Sequence, residues 1–293
     1  MSKKIAVVGT GLVGRSWSIV FARSGFEVCL YDPIDGAVDN ALSLIEESLP
    51  DLFEANLLNG NNPDVVRARI QTADSLPKVL DGAFYMQESA PERIEVKQAL
   101  YQQLDQFADP ETILASSTSG IAASRFTEHL DNRQRCLVAH PINPPHIVPL
   151  VEIVPALWTE TSVVEKTRAL MEQVRQAPIQ LNHEVKGFVA NRLQGALLAE
   201  AFRLVEDGVC SVADVDTSIS AGLGLRWSFM GPFETIDLNA ANGIRGYCDM
   251  VGQLYYELAH EQADPREWTE PLIAEIERQR REVLAEAITN ITF

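Results

Sequence analysis

A histidine and a glutamate, His140 and Glu152, are the pair of residues with the clearest capacity for chemistry. His140 ends one predicted strand, and Glu152 lies twelve residues later within the next strand. If the two strands run side by side, the carboxylate meets the imidazole, fixes its tautomer and increases the basicity of the other ring nitrogen. A base of this kind removes the proton of an alcohol during hydride transfer. The alternative is that His140 is a hydrogen-bonded turn histidine and Glu152 a solvated strand residue.

Other polar residues near this pair have simpler interpretations. His146 lies in the proline-rich loop between the two strands without a comparably placed acid, which favours a surface role. The run Ser116-Ser117-Thr118-Ser119-Gly120 follows a strand, at the edge where such sheets bind ligands. Most of its hydroxyls are expected to cap a helix. Asn191 stands inside a predicted buried helix, where a core hydrogen bond accounts for it as well as a functional contact does.

A glycine-rich turn near the N-terminus indicates a dinucleotide site. The string Gly9-Thr10-Gly11-Leu12-Val13-Gly14 follows the first predicted strand and opens a helix, whose free amides would hold a pyrophosphate. Asp32 comes eighteen residues after Gly14, at the end of the second predicted strand, where an acidic side chain binds the adenosine ribose and repels a 2′-phosphate. The following Pro33-Ile34-Asp35 supplies no arginine for such a phosphate, so NAD is favoured over NADP.

These residues need a sheet to position them, and the alternation of short apolar runs with amphipathic stretches predicts one. The pattern is typical of an α/β fold with a doubly wound Rossmann-type parallel sheet, here assigned to residues 1–185. Residues 35–58 and 64–70 are predicted helices. The predicted strands are Lys4 to Val8, Glu27 to Tyr31, Ala83 to Met86, Ile113 to Ala115, Cys136 to Ala139, Leu150 to Val154 and Pro178 to Leu181.

The strand pattern ends near residue 186, and residues 186–293 are predicted to form an all-α C-terminal domain. A largely buried first helix is expected, because apolar residues recur there at helical spacing: Phe188, Val189, Leu193, Leu197, Ala201 and Leu204. The segment from Ser211 to Asp214 has the pattern of a capping box that opens another helix. The stretch from Glu267 to Ile288 is predicted to form a charged, amphipathic terminal helix.

Composition limits the possible partners and compartments. The 293 residues are 46% hydrophobic, which is ample for a buried core, and 24 basic against 41 acidic residues give a net charge of −17. This charge makes nucleic acid and anionic membranes poor partners. No eighteen-residue apolar stretch and no signal-peptide pattern occur. A cytoplasmic chain is therefore expected. The four cysteines are widely spaced, so we expect reduced thiols and no metal site.

With these residues assembled, the sequence resembles the 3-hydroxyacyl-CoA dehydrogenase family and, within it, the branch of λ-crystallin and L-gulonate 3-dehydrogenase. The likeness runs through almost the whole chain. It is carried by Gly9–Trp17, Ala139–Pro145, Pro149–Glu152, Gly187–Gln194 and Gly222–Trp227.

The resemblance implies a role for several residues. His140 would be the base and Glu152 its partner, while Ser119 and Asn191 would place the reacting oxygen. Three further residues are implied to contact the nucleotide or its nicotinamide ribose: Glu92, Lys97 and Asn143. The resemblance, together with the amphipathic terminal helix, also predicts a homodimer in which the helical domain supplies the interface and part of the substrate site.

Charge favours a small free acid over a coenzyme A thioester as the substrate. In the acyl-CoA enzymes the segment after the second strand helps to hold the coenzyme, whose phosphates favour Lys or Arg. Here residues 33–66 contain seven acidic residues and no Lys or Arg. Arg226 lies in a glycine-flanked segment and can hold a carboxylate with two hydrogen bonds, although a surface arginine would also explain it.

We therefore expect NAD-dependent oxidation of the 3-hydroxyl of a small free hydroxy acid, as in L-gulonate 3-dehydrogenase. L-carnitine 3-dehydrogenase and short-chain 3-hydroxyacyl-CoA dehydrogenase activities are the alternatives within the same reaction type. A non-catalytic, crystallin-like protein that binds NAD is the alternative from another class.

Overall fold

The structure is a computed structural model that describes residues 4–283. The chain divides after Asn191 into two compact units, Met1–Asn191 and Arg192–Phe293. The sequence predicts the domain boundary after residue 185, and that boundary remains a prediction. We refer to the two parts as the first unit and the second unit.

The first unit is built on one sheet, which within the described residues has eight strands in the order β3-β2-β1-β4-β5-β6-β7-β8. All neighbours pair in parallel except β6 and β7, which are antiparallel. The strands are β1 Lys4–Val8, β2 Glu27–Tyr31, β3 Ile70–Thr72, β4 Ala83–Glu88, β5 Ile113–Ser116, β6 Cys136–Pro141, β7 Leu150–Pro155 and β8 Ala177–Gln180. The doubly wound Rossmann-type fold is thereby confirmed, with one antiparallel pair added.

Helices cover both faces of this sheet. In the first unit they are α1 Leu12–Arg23, α2 Ala37–Glu54, α3 Pro63–Ala68, α4 Leu76–Leu80, α5 Ile94–Phe107, α6 Ser124–Thr127 and α7 Thr161–Gln173. Successive side chains of a strand point to opposite faces, so Ile5 and Val7 pack in one apolar layer while Ala6 and Val8 pack in the other. Burial of each large apolar side chain in such layers contributes about 1.5–3 kcal/mol.

Two local predictions in this unit are wrong. Residues 64–70 are predicted as one helix, but α3 ends at Ala68 and Ile70–Thr72 forms the edge strand β3. The sheet is not fully parallel, because only residues 142–149 connect β6 to β7. A parallel connection needs a crossover of about a dozen residues or more, so this short loop reverses the chain direction.

The second unit is helical in the described residues, which confirms the predicted all-α C-terminal region. Helix α8 Ala190–Glu206 crosses the boundary and is followed by α9 Val212–Ser218, α10 Gly224–Trp227, α11 Pro232–Leu238, α12 Gly243–Glu261 and α13 Glu270–Val283. The capping box is present: Ser211 Oγ accepts from the amide of Asp214, and the Asp214 carboxylate accepts from the amide of Ser211. None of the helices described is long and apolar enough to cross a bilayer.

The prediction that the first helix of this unit is largely buried is wrong. No residue of α8 is buried, and Leu193 is 65% exposed. Helical periodicity identifies an apolar stripe but not what covers it, and nothing among residues 4–283 covers the stripe of α8 completely. The predicted terminal helix begins at Glu270 rather than Glu267, and its predicted end at Ile288 lies outside the described residues.

Candidate active site

The glycine turn predicted to hold a pyrophosphate connects β1 to α1. Gly9 has a φ of 92°, and a Cβ atom on it would lie 2.6 Å from the backbone of Ser89. A Cβ atom on Gly14 would lie 1.9 Å from the carbonyl oxygen of Gly9. Both positions therefore require glycine, whereas a Cβ atom on Gly11 would enter open space. The turn is tight, and it leaves room for a ligand beside Gly11.

Helix α1 begins at this turn with unpaired amides. Its N-cap, Gly11, provides no side-chain cap, and no acidic residue lies in the first turn. Leu12 and Val13 open the helix, so their backbone N–H groups have no partner within it. Such amides and the helix dipole together stabilise an anion. These residues fit the pyrophosphate of a dinucleotide.

A cavity of about 710 Å³ extends along the same edge of the sheet. Its acidic member is Asp32, which accepts hydrogen bonds from the amide of Thr10 at 2.8 Å and from the amide of Ile34 at 3.0 Å. Its apolar wall includes Leu76, Val96, Ala99 and Leu100. An acidic side chain beside an apolar slot fits the adenosine half of NAD.

The three further residues expected near the nucleotide lie in different environments. Glu92 is exposed in the segment just before α5, and Asn143 is exposed in the loop between β6 and β7. Lys97 is buried, with Nζ 2.9 Å from both carboxylate oxygens of Glu88 and 3.6 Å from Oε2 of Glu92. Lys97 therefore forms a buried ion pair with Glu88. Contact of these residues with the nucleotide remains a prediction.

His140 and Glu152 lie opposite each other in the antiparallel pair of β6 and β7. Nδ1 of His140 is 2.7 Å from Oε2 of Glu152, and both side chains are buried. The ring of Phe188 packs against the imidazole with the two centroids 5.6 Å apart. The structure thus brings together the two groups from which an acid–base pair is expected.

The second carboxylate oxygen of Glu152 accepts hydrogen bonds from the amides of Val189 and Ala190, at 2.7 and 2.9 Å. Burial opposes ionisation of Glu152, but the hydrogen bonds from His140 and the two amides outweigh burial and hold its pKa below the usual value. An ionised carboxylate can only accept hydrogen bonds. Nδ1 of His140 therefore carries a hydrogen, and in the neutral imidazole the lone pair is on Nε2.

Ser119 and Asn191 also meet. Nδ2 of Asn191 donates to the carbonyl oxygen of Ser119 at 2.7 Å. Asn191 lies in the first turn of α8, and Glu152 binds the amides at the start of that helix, so Glu152 helps to place both His140 and Asn191. Ser119 is exposed, and its hydroxyl makes no hydrogen bond with residues 4–283. This hydroxyl is available to a ligand.

The expectation that the hydroxyl run from Ser116 to Ser119 caps a helix is wrong. The nearest following helix, α6, has no side-chain cap. Ser116 instead donates to the buried Glu88 at 2.5 Å, and Thr118 donates to Glu92 at 2.5 Å. Glu92 also accepts hydrogen bonds from the backbone amides of Ser119 and Gly120, both at 3.1 Å. The segment after β5 is thus a turn held by the carboxylates of Glu88 and Glu92, and Ser119 is exposed in this turn.

His146 lies half-buried in the loop between β6 and β7 rather than on the open surface. Burial, together with the nearby Arg23 and Arg15, lowers its pKa to about 4. Its Nδ1 is buried without a hydrogen-bond partner in the described part of the chain. The structure gives His146 no acidic partner comparable to Glu152.

Arg226 lies in the second unit, on α10. It is half-buried, and within residues 4–283 its side chain makes no ion pair; its Nε is buried without a hydrogen-bond partner. An arginine left without an acceptor is available for an anion. Whether Arg226 binds substrate remains a proposal.

Sequence reasoning missed Glu88, which is fully buried at the end of β4 and binds Lys97, Ser116 and the amide of Ala90. It also missed the neighbouring Gln87. The available signal was a polar pair, Gln-Glu, at the end of an otherwise apolar strand, because buried polar groups require partners.

Comparison with known proteins agrees with this geometry. The NAD-binding domain of the 3-hydroxyacyl-CoA dehydrogenase family matches residues 4–185, and the C-terminal domain of the same family matches residues 187–282. The lambda-crystallin homolog of Bos taurus is 44% identical over 250 residues, which cover 85% of this chain and 78% of the relative. L-carnitine dehydrogenase of Oceanobacillus iheyensis is 38% identical over 251 residues, covering 85% and 80%.

A solved structure is similar over nearly the whole chain. It is that of 5-formyl-3-hydroxy-2-methylpyridine 4-carboxylic acid 5-dehydrogenase, an NAD+-dependent dismutase. The TM-score is 0.81 at 28% identity, and the match covers 98% of this chain and 89% of the solved chain. The resemblance inferred from the sequence and the assignment of NAD as cofactor are thereby confirmed. The chain belongs to the 3-hydroxyacyl-CoA dehydrogenase family, and it is an NAD-dependent oxidoreductase that acts on a CH–OH group.

Proposed function

We propose that this enzyme oxidises the 3-hydroxyl of a small free hydroxy acid, as L-gulonate 3-dehydrogenase does, with His140 as the base. The observation that carries the proposal is the 2.7 Å contact between Nδ1 of His140 and Oε2 of Glu152, in a pair whose carboxylate is held ionised. That arrangement leaves Nε2 as a proton acceptor at the carboxyl edge of the sheet, where ligands bind in folds of this type.

The proton of the substrate hydroxyl passes to Nε2 of His140. Glu152 keeps the hydrogen on Nδ1 and stabilises the imidazolium that forms, so the ring acts as a base without turning. When bound, NAD would accept the hydride from the carbon that carries this hydroxyl. Because Glu152 is also hydrogen-bonded to two backbone amides, it does not move when the charge on the ring changes.

The reacting oxygen is placed by Ser119 and Asn191. The Ser119 hydroxyl has no partner among the described residues and can donate to the substrate oxygen. Asn191 holds the Ser119 carbonyl and keeps the turn in place. Orientation of this kind raises the rate because the alcohol is held near the base before the reaction begins.

The free-acid assignment rests on charge. Helix α2 and its flanking segments carry the acidic residues between positions 33 and 66, and no cation in that stretch is available for the phosphates of coenzyme A. Arg226, by contrast, has no acidic partner in the described chain and suits a substrate carboxylate. We therefore assign the carboxylate of the substrate to Arg226.

L-carnitine is the second candidate substrate. Trp227 follows Arg226 directly and is 40% exposed. The face of an exposed indole binds a quaternary ammonium group, which carnitine carries in addition to its carboxylate. The 38% identical relative is named for activity on this compound.

We also propose that two copies of the chain associate through the second unit. Its helices and the segments between them carry exposed apolar side chains that a second copy would cover, including Leu193, Trp227, Phe229, Phe233 and Met250. A cytoplasmic location, expected because the sequence shows no signal-peptide pattern and no long apolar stretch, remains a prediction.

The proposed function is tested by NADH formation with a panel of 3-hydroxy acids: L-gulonate, L-carnitine, 3-hydroxybutyrate and 3-hydroxybutyryl-CoA. We expect kcat/KM to be highest for a free acid. Efficient oxidation of the CoA thioester with no activity on the free acids would contradict the proposal. NAD binding measured in parallel, with no turnover of any hydroxy acid, would favour the non-catalytic alternative.

A further inference from the structure

A chain of side-chain hydrogen bonds runs beneath the glycine turn and has no role in the chemistry described above. The hydroxyl of Tyr85 donates to Oε1 of Gln87 at 2.7 Å. Nε2 of Gln87 donates to Oγ of Ser117 at 2.7 Å, and Nε1 of Trp17 donates to the same oxygen at 3.2 Å. Oγ of Ser117 also lies 3.0 Å from Oγ of Ser89.

The direction of each hydrogen bond in this chain is determined. Nε2 of Gln87 also contacts the carbonyl oxygen of Ala139 at 3.2 Å, and a carbonyl can only accept, so the amide of Gln87 has one orientation. The indole of Trp17 can only donate. Oγ of Ser117 therefore accepts two hydrogen bonds, which occupy both of its lone pairs, and its own hydrogen goes to Ser89.

Ser89 consequently has a hydrogen to donate and no protein acceptor for it among residues 4–283. Its side chain is half-buried and lines the 710 Å³ cavity together with Gly9, Gly11 and Asp32. A hydroxyl that receives a hydrogen bond from a polarised chain is a better donor than an isolated one. The lining of this cavity thus includes, directly after β4, a residue whose hydroxyl has a hydrogen to donate.

Strand order indicates which part of the cofactor this donor meets. Asp32 follows β2, the glycine turn follows β1 and Ser89 follows β4, so Ser89 and Asp32 lie on opposite sides of the turn. Neighbouring strands are about 4.8 Å apart. With the adenosine ribose at Asp32 and the pyrophosphate at the start of α1, the next portion of the dinucleotide reaches β4.

We propose that the Ser89 hydroxyl donates a hydrogen bond to an oxygen of the phosphoribosyl portion of bound NAD, which comprises its second phosphate and second ribose. Ser89 is thus a cofactor-binding residue, and Ser117, Gln87 and Trp17 are the residues that orient its hydroxyl. The inference concerns the cofactor alone, so it holds for whichever hydroxy acid is the substrate.

The test is the dissociation constant of the unliganded enzyme and of Ser89→Ala for AMP, ADP, ADP-ribose and NAD, measured by titration calorimetry. We expect Ser89→Ala to bind ADP-ribose and NAD about tenfold more weakly, equivalent to about 1.4 kcal/mol, and to bind AMP with an unchanged constant. Weaker binding of ADP as well identifies the second phosphate as the acceptor. Unchanged binding of ADP identifies the second ribose. Either result supports the proposal.

Unchanged binding of ADP-ribose by Ser89→Ala overturns the proposal, as does an equal loss for AMP. Ser43→Ala, which removes an exposed hydroxyl bonded to a backbone carbonyl of α2, is the matched control and should leave all four constants unchanged. The melting temperature of each variant verifies folding. Ser89→Cys keeps a side chain at this position with only a weak donor, so it should show the same pattern of losses even if the alanine variant is unstable.

Discussion

The two units differ in how completely their side chains are buried. In the first unit, Trp17, Phe21 and Tyr85 are fully buried, and the buried carboxylates Glu88 and Glu152 are fully hydrogen-bonded. In the described part of the second unit, by contrast, only Val212, Thr235 and Leu272 are buried. Most of the exposed large hydrophobic side chains of the described chain also lie there.

This difference in burial coincides with a division of the proposed roles between the two units. The first unit contains the glycine turn, the 710 Å³ cavity proposed for NAD and the pair of His140 and Glu152. The second unit offers an unpaired arginine and open apolar surfaces, which are features suited to ligands and to other protein surfaces. We therefore propose that the residues of the reaction lie in the first unit, and that the second unit contributes to substrate selection and association.

The largest effect is expected in the first unit. His140→Ala removes the proposed base and should lower kcat by about two to four orders of magnitude. NAD binding should survive, because His140 does not line the NAD cavity. Steady-state kinetics and an NAD titration measure the two quantities. Near-normal turnover would contradict the assignment of chemistry to this pair.

A second substitution tests the role of the second unit. Arg226→Met keeps much of the apolar stem and removes the charge, so a substrate carboxylate loses its partner. Loss of one side of such a desolvated pair is expected to cost about 2–5 kcal/mol, which is roughly 30-fold to several thousand-fold in kcat/KM for free hydroxy acids.

The control for Arg226→Met is NAD binding, which should not change. If the variant oxidises free acids as well as the wild type does, the second unit does not select the substrate through Arg226. Intact activity on 3-hydroxybutyryl-CoA in both proteins would point to the thioester as the substrate.

A smaller, pH-dependent effect is expected on stability. The pKa of Glu152 in the folded protein lies below its ordinary value of about 4.5, so its stabilising contribution is complete above that value and is lost as the pH falls through the lowered pKa. Glu152→Gln replaces charged hydrogen bonds by neutral ones and should destabilise the protein by about 1–2 kcal/mol at pH 7. The difference in the free energy of unfolding between the wild type and Glu152→Gln, measured with urea, should decrease below about pH 4.5. A stability difference that does not change with pH would contradict the ionised state of Glu152.

The smallest expected change is the twofold increase in mass when two copies of the chain associate. Light scattering at micromolar concentration should give twice the chain mass of 32.4 kDa. Leu193→Asp places a charge on the exposed stripe of α8 and should shift the equilibrium towards the monomer. A wild-type mass of one chain would mean that a second copy does not cover the apolar surface of the second unit.

Much of the first unit is predictable from the sequence because its elements are locally encoded. The strands β1 and β2 are predicted with the bounds they have in the structure, since each is a short apolar run that ends at a turn. The edge strand β3 is missed because it has three residues, of which only Ile70 is buried. The direction of β7 is missed because strand composition carries no information on orientation, whereas the short loop before it does.

The site is predictable only in part, for a similar reason. The glycine turn and Asp32 follow from local spacing, but the partners of Ser116 and Thr118 come from β4 and from the segment between β4 and α5, far away in the sequence. Hydroxyls after a strand therefore suggest a helix cap when only local sequence is considered. In α8, likewise, the apolar stripe is visible in the sequence, whereas its exposure depends on tertiary and quaternary packing.

The central claim is that Glu152 keeps the hydrogen of His140 on Nδ1 and so leaves Nε2 free to take a proton. Nitrogen NMR of histidine-labelled protein at neutral pH, with the His140 signals assigned by His140→Ala, measures this tautomer directly. The account predicts a protonated Nδ1 and an unprotonated Nε2 in the wild type. In Glu152→Gln the side-chain oxygen stays with the amides of Val189 and Ala190, its NH2 group faces Nδ1, and the hydrogen should move to Nε2. The same tautomer in both proteins, or a hydrogen on Nε2 in the wild type, would contradict the claim.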